Sequence, residues 1–145
     1  MGPYDFDLIL RGGEPPFTGK VLEQLMGLEY RFGDHVTFPD QVFALVEGQW
    51  WRMMIDGPML YLQHWDQAPE ACEIPEEDMF WLLRDLGEEL SLRGETLTGW
   101  SYGERNHVPS LSLNFQNGRQ VTFLSIDGDG WSSLEVTRWE ISHLK

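Results

Sequence analysis

The sequence predicts an α+β fold, in which residues 1–145 form a single acidic domain with an antiparallel meander sheet packed against two helices. Apolar and polar residues alternate along several runs, and a period of two is typical of strands with one buried face. Two other stretches space their apolar residues as helices do. The length of 145 residues and the 41 % of apolar side chains suit one domain with one core.

The first predicted elements are a strand and a helix. Every second residue from Tyr4 to Leu10 is apolar, which predicts a strand that ends at the glycines and prolines of residues 12–16. Thr18 can cap a helix that extends to about Gly27. The predicted inner face of this helix consists of Val21, Leu22, Leu25 and Met26.

Residues 41–65 are predicted to form three strands of an antiparallel meander. Glu47-Gly48 and Asp56-Gly57-Pro58 divide this segment into runs of strand length, and such short turns connect antiparallel neighbours. Upstream of the meander, Gly33-Asp34 and Pro39-Asp40 indicate two further turns.

The second predicted helix covers residues 75–92. Pro75 suits the first helical position, where its missing N–H is not needed, and the acidic residues 76–78 favour the positive end of the helix dipole. The helix is expected to end near Leu92, before Gly94. Its apolar face is predicted from the helical spacing of Met79, Leu82, Leu83, Leu86 and Leu90.

Four further strands are predicted after this helix, over residues 95–102, 110–116, 119–126 and 131–139. The hairpin around Asn117-Gly118 has two candidate registers. A two-residue loop sets Leu113 opposite Thr122, whereas a type I turn with Gly118 as a bulge sets Leu113 opposite Val121. We prefer the second register because it keeps apolar residues on one face.

The residues 127–130, Asp-Gly-Asp-Gly, are compatible with a calcium loop or with a hairpin turn. An EF-hand loop needs an oxygen ligand at the position of Trp131 and a glutamate at its twelfth position, which here is Arg138. Asp-Gly between two runs of alternating apolar residues is a strong hairpin signal. The sequence therefore predicts a turn without a metal ion.

No arrangement of residues in the sequence points to catalysis. Residues 13–20 resemble a phosphate loop, but the glycine spacing is wrong and Val21 replaces the hydroxyl residue that would bind the metal. No histidine pair has the i, i+4 spacing of a helical zinc site, and no serine lies in a nucleophile elbow. The chain is therefore predicted not to be an enzyme and to bind neither a cofactor nor a metal.

The acidic charge of the chain either confers only solubility or indicates a basic partner, for which a cationic protein is expected. The sequence contains 24 acidic and 10 basic side chains, and its net charge of −14 repels nucleic-acid backbones and anionic membranes. Cys72 is the only cysteine, which excludes an intrachain disulfide and fits a reducing compartment. The sequence shows neither an apolar run long enough to span a membrane nor a signal-peptide pattern, so a cytoplasmic location is expected.

The acidic residues are most concentrated in the segment QHWDQAPEACEIPEED, residues 63–78. No lysine or arginine occurs between Arg52 and Arg84. One interpretation is a well-solvated loop, and the other is a docking surface whose carboxylates steer a cationic partner that a tryptophan then anchors. The predicted partner-binding residues are Trp65, Asp66, Glu70, Glu73, Glu76, Glu77, Asp78 and Trp81.

An amphipathic hairpin is predicted over residues 111–131, and its pattern consists of Leu111, Leu113, Phe115, Gly118, Val121 and Phe123. This segment resembles the C-terminal hairpin of several families of small acidic bacterial immunity proteins, which neutralise toxins used in competition between cells. The resemblance implies a stoichiometric inhibitor that binds a cognate, basic toxin domain and blocks its active site. It assigns no functional residue.

Two other classes of function stay open from the sequence. A nucleic-acid mimic would space its carboxylates like phosphates on one face and occupy a DNA-binding protein. A small-ligand-binding protein or an enzyme would line a pocket with tryptophans such as Trp50, Trp51 and Trp100.

Overall fold

The fold is mainly β. The computed structural model describes residues 7–32, 35–56, 59–105, 108–126 and 131–138. Eleven strands form two sheets, and the described residues contain a single α-helix, which is four residues long. The predicted α+β class is therefore wrong, because strands replace most of both predicted helices.

Of the strands in the described residues, seven belong to the first sheet and four to the second. The strands of the first sheet are β1 (Asp7–Arg11), β2 (Leu22–Phe32), β3 (His35–Val46), β4 (Gln49–Asp56), β5 (Met59–Trp65), β6 (Cys72–Ile74) and β7 (Met79–Asp85). The strands of the second sheet are β8 (Leu97–Arg105), β9 (Val108–Phe115), β10 (Arg119–Ile126) and β11 (Trp131–Arg138). The helix α1 spans Leu86–Glu89, and a 3₁₀ turn spans Pro75–Glu77.

The first sheet is mixed, with the strand order β1-β5-β4-β3-β2-β7-β6. Its neighbouring strands are antiparallel except β1 and β5, which are parallel. The second sheet is antiparallel, with the order β11-β10-β9-β8. Within the described ranges, the second sheet packs chiefly on β3, β4 and β5, so the β6–β7 end of the first sheet lies beyond its main contacts.

One apolar core joins the two sheets. Consecutive strand residues point to opposite faces, so alternate residues such as Leu60 and Leu62 face the second sheet. Phe17 precedes β2, is fully buried, and meets the Trp51 ring edge to face at a centroid distance of 5.9 Å. Full burial of a side chain of this size contributes about 1.5–3 kcal/mol. The second sheet contributes Leu97, Leu111, Leu113, Phe115, Val121 and Phe123 to this core.

The helix predicted over residues 18–27 is instead the start of β2. Leu22 and Leu25 are both fully buried although they are three positions apart, which is a spacing typical of helices. The strand produces the same spacing with a bulge, because its pairing with β3 shifts register between Leu22 and Gln24. Val21, which the helix would have buried, is exposed.

The helix predicted over residues 75–92 is instead a hairpin followed by α1. The five large apolar residues 79–83 are consecutive in β7, and all are half-buried. A strand distributes such a run over both faces, and the aromatic Phe80 and Trp81 favour a strand. The helical part is confined to α1, where the Asp85 carboxylate accepts a hydrogen bond from the Glu88 N–H at 3.1 Å.

The predicted meander is confirmed, because β3, β4 and β5 pair in sequence and antiparallel. The preferred register at Asn117-Gly118 is also confirmed, with Leu113 opposite Val121 and a φ of +86° at Gly118. The four strands predicted after the second helix are present as β8 to β11, with ends shifted by a few residues.

Several sequence predictions lie partly or wholly outside the described residues, at residues 4–6, 33–34, 57–58 and 139, and at residues 127–130. The strands on either side of the last segment form an antiparallel pair in which Ile126 lies opposite Trp131, as the predicted hairpin requires. The turn predicted at Pro39-Asp40 is wrong, because these residues lie inside β3.

Gly12→Ala should destabilise the protein more than Gly13→Ala. Both glycines have positive φ, +88° and +84°, so alanine is strained at either position. A Cβ at Gly12 would lie 2.6 Å from the Cβ of His64, whereas a Cβ at Gly13 would meet no atom of the described residues within 4 Å. We expect a loss of about 1 kcal/mol for Gly13→Ala and about 1–3 kcal/mol more for Gly12→Ala in urea unfolding. Equal losses would contradict the close approach of β1 to β5.

Candidate functional site

Glu76, Glu77 and Asp78 form the tip of the β6–β7 hairpin, and all three are exposed. The chain reverses through a 3₁₀ turn, in which the Asp78 N–H donates to the carbonyl oxygen of Pro75 at 3.0 Å. Asp78 has a φ of 52°, a left-handed conformation that aspartate adopts more readily than most residues. The turn therefore presents three consecutive carboxylates to solvent, where they repel one another.

β6 is the last strand of the first sheet, and no described strand pairs with its outer edge. Glu73 in β6 is exposed and adds a fourth carboxylate next to the hairpin tip. Together, Glu73, Glu76, Glu77 and Asp78 are called the acidic edge below. Beside it is a cleft of about 270 Å³, lined by Ala71, Cys72, Glu73, Trp81 and Leu82.

β7 supplies apolar surface next to the acidic edge. Each of its seven residues is half-buried, because the second sheet packs chiefly on other strands. Trp81 lies directly opposite Cys72 in the β6–β7 pair and thus close to the outer edge of the sheet. Partly exposed apolar residues with a rim of charged residues are typical of protein–protein interfaces.

Trp65 and Asp66, also predicted as partner-binding residues, lie apart from the acidic edge. β4, β3, β2 and β7 separate β5, which ends at Trp65, from β6. Trp65 packs against Phe43 at a ring-centroid distance of 6.4 Å, and the Arg52 guanidinium lies 4.0 Å from its ring centroid. The Asp66 Oδ1 lies 3.6 Å from the Nδ1 of His64.

The predicted docking segment therefore divides into two groups. Glu73, residues 76–78 and Trp81 lie together at the acidic edge, whereas Trp65 and Asp66 lie beside Arg52. Glu70 is exposed in the connection between the two groups. The ring face of Trp65 that meets Arg52 is already covered by a cation of the same chain, whereas Trp81 lines the cleft beside the acidic edge.

Arg84, the first basic residue after the acidic segment, is engaged at the far end of β7 from the hairpin tip. Its Nη2 donates to the Glu89 Oε1 at 2.8 Å, and its Nη1 lies 3.6 Å from the Glu29 Oε2. The hydrogen bond between Arg84 and Glu89 raises the pKa of Arg84 and lowers the pKa of Glu89. The positive charge of Arg84 is thus paired with the carboxylates of Glu89 and Glu29.

The three tryptophans considered for a ligand pocket do not line one site. Trp50 and Trp51 are consecutive in β4 and therefore point to opposite faces of the sheet. Trp51 is buried in the core and meets the His64 ring edge to face, with centroids 5.4 Å apart. Trp100 belongs to the second sheet and stacks on Tyr102 at a centroid distance of 6.0 Å.

A metal site is not seen in the described part of the chain, where no three histidine, cysteine or carboxylate side chains are grouped to hold an ion. Cys72 is exposed and is a free thiol. Across the same residues, no helix has both the length and the apolar character needed to cross a membrane.

Comparisons with protein-family models, with curated proteins and with solved structures find no match to this chain. The likeness to immunity proteins thus stays a prediction from the hairpin pattern and the charge.

Sequence reasoning did not single out one polar group, which consists of Arg11, Gln63 and Arg52. These residues lie side by side in β1, β5 and β4. The sequence of the meander does contain a signal for two members of this group, because Arg52 and Gln63 interrupt the apolar runs QWWRMMID and MLYLQHW. A polar residue within such a run marks the outward face of a strand, but strand order is needed to bring the three together.

Glu89→Gln should reduce stability slightly at neutral pH and not at all in acid. The pKa of Glu89 is below its usual value of 4.5, so the contact with Arg84 stabilises the folded state above pH 4.5, and this stabilisation is lost as the pH falls through the lowered pKa. The side chains are 40 % and 44 % exposed, and screening limits the loss at pH 7 to about 0.5 kcal/mol. Urea unfolding of both proteins from pH 7 to pH 2 measures the difference. A difference that persists at pH 2 would contradict this assignment.

Proposed function

We propose that this chain is a stoichiometric inhibitor that uses the acidic edge to bind a basic bacterial toxin domain and block its active site. The observation that carries this proposal is the position of four exposed carboxylates directly beside the half-buried apolar surface of β7. The net charge of −14 and the hairpin pattern over residues 111–131 support the same function.

The carboxylates of the acidic edge act mainly on the rate of encounter. Exposed charges steer an oppositely charged partner, raise the association rate constant and lose this effect as the salt concentration rises. The carboxylates also repel one another in the free protein. Cationic side chains that dock between them relieve this repulsion, so electrostatics favours the complex as well as the encounter.

The cleft beside Trp81 provides the anchor. Its volume of about 270 Å³ lies below the ~300–1,000 Å³ typical of small-molecule pockets and suits a side chain of a partner. Trp81 and Leu82 offer apolar contact, and Glu73 adds a carboxylate. This combination matches a lysine or arginine, whose aliphatic stem packs on apolar surface while its charged head pairs with an acid.

Co-expression with the product of the adjacent reading frame tests this proposal. If that product contains a basic toxin domain, growth arrest should be abolished when this chain is in excess. The two chains should also elute from a sizing column as one stable complex of fixed stoichiometry. Growth arrest that persists with the soluble inhibitor in excess would contradict the proposed function.

Charge reversal at the hairpin tip should slow association with the partner. We expect the double variant Glu76→Lys and Glu77→Lys to lower the association rate constant about tenfold or more at low salt, because steering by these carboxylates is reversed. The dependence of the rate on salt should become weaker. Stopped-flow or surface plasmon resonance measurements at several salt concentrations give both quantities.

The matched control is the double variant Glu14→Lys and Glu88→Lys, which changes the net charge equally at two exposed glutamates outside the acidic edge. Its association rate constant should change about threefold or less, since charges away from an interface act weakly through screening solvent. Equal effects of the two variants would mean that net charge, and not the acidic edge, governs the association.

A further inference from the structure

Two arginines lie in one row at the β1–β5–β4 side of the first sheet. Gln63 in β5 is the partner of Arg11 in the parallel β1–β5 pair and of Arg52 in the antiparallel β4–β5 pair. Directly paired strand residues project from the same face of a sheet. Arg11, Gln63 and Arg52 therefore form a continuous row across three strands. This row is called the arginine row below.

The guanidinium of Arg52 is held in a fixed orientation. Its Nη2 and Nε donate to the Gln63 Oε1 at 2.6 Å and 3.2 Å, and its Nη1 donates to the Gln41 Oε1 at 3.2 Å. The ring of Trp65 lies against it at 4.0 Å. Gln63 itself is only 5 % exposed, so the acceptor that orients Arg52 is part of the rigid sheet.

Arg11 stands at the end of β1, where Gly12 lets the chain pass close to β5. The position of the Gly12 Cα permits no side chain, because a Cβ there would lie 2.6 Å from that of His64. Arg11 is exposed, and no hydrogen bond or ion pair to it occurs in the described part of the chain. Its guanidinium is thus available beside the oriented guanidinium of Arg52.

The arginine row lines a cleft of about 490 Å³. This volume is within the ~300–1,000 Å³ range of small-molecule sites. Two of the ten basic residues of a chain with a net charge of −14 meet there. The described lining residues are Arg11, Arg52, Gln63, His64, Trp65, Asp66 and Gln67, and Asp66 is the one acid among them.

We propose that this cleft binds the anionic group of a small ligand, either a carboxylate or a phosphate. Two strand spacings separate the Cα atoms of Arg11 and Arg52 by about 10 Å, so both long side chains can reach one anion in the cleft. The planar fork of arginine suits both carboxylate and phosphate, and an orientation fixed before binding reduces the entropy lost on binding. This site is separate from the acidic edge and does not depend on the proposed inhibitor function.

Titration of the full chain with inorganic phosphate and with succinate, at constant ionic strength in sodium chloride, tests this proposal. The Nε–Hε resonances of Arg11 and Arg52 in ¹⁵N NMR spectra report binding directly, and calorimetry gives the affinity. We expect saturable shifts of both resonances with at least one of the two anions. Saturation by phosphate alone or by succinate alone supports the site and identifies which anionic group it prefers.

Arg11→Gln tests the location of the site. Arg11 is exposed, so this variant should stay folded, and it should weaken anion binding at least about fivefold through the loss of charge-assisted hydrogen bonds. The matched control Arg93→Gln removes the same charge from an exposed arginine outside the cleft and should change the affinity less than about twofold. The proposal is overturned if neither anion gives saturable shifts, or if the two variants bind equally well.

Discussion

The burial of one face of the first sheet against the second is the constraint on which the other features depend. Met53, Leu60 and Leu62 are at most 1 % exposed, and they determine which way β4 and β5 face. Because side chains alternate along a strand, this choice also places Arg52 and Gln63 on the opposite face. Turning β4 over would bury Arg52 in the apolar core, and an uncompensated buried charge costs several kcal/mol. The arginine row is therefore a consequence of how the core is packed.

The acidic edge depends on where that packing stops. The second sheet contacts chiefly β3, β4 and β5, so β7 keeps both of its faces half-buried, and the hairpin tip lies in solvent. In water, two carboxylates 4 Å apart repel by only about 1 kcal/mol, whereas the same pair in the interior would repel far more. The fold tolerates the three acids at residues 76–78 because they are solvated, and solvation is also what makes them accessible to a partner.

The sequence predicted the parts of the fold that local signals determine. The register around Gly118 follows from the apolar pattern of one hairpin, and the β3–β4–β5 meander follows from its short turns. Both predicted helices were wrong. A bulge in β2 gave Leu22 and Leu25 a helical spacing, and the run of apolar residues in β7 fits the period of a helix as well as that of a strand. The charge of the docking segment could be read from the sequence, but its division into two groups could not, since strand order places β5 and β6 far apart.

The two candidate sites also separate charge within one sheet. The arginine row occupies β1, β5 and β4, whereas the acidic edge lies at β6 and at the tip of the β6–β7 hairpin. The two outermost strands, β1 and β6, are six strand spacings apart, which is about 29 Å along the sheet. Exposed charges are largely screened beyond about 8 Å at physiological ionic strength. The arginines therefore leave the potential at the acidic edge almost unchanged, and an anion in the cleft has little direct effect on the approach of a cationic protein to the hairpin. If such an anion did weaken that association, the interface would have to extend across the sheet to the arginine row.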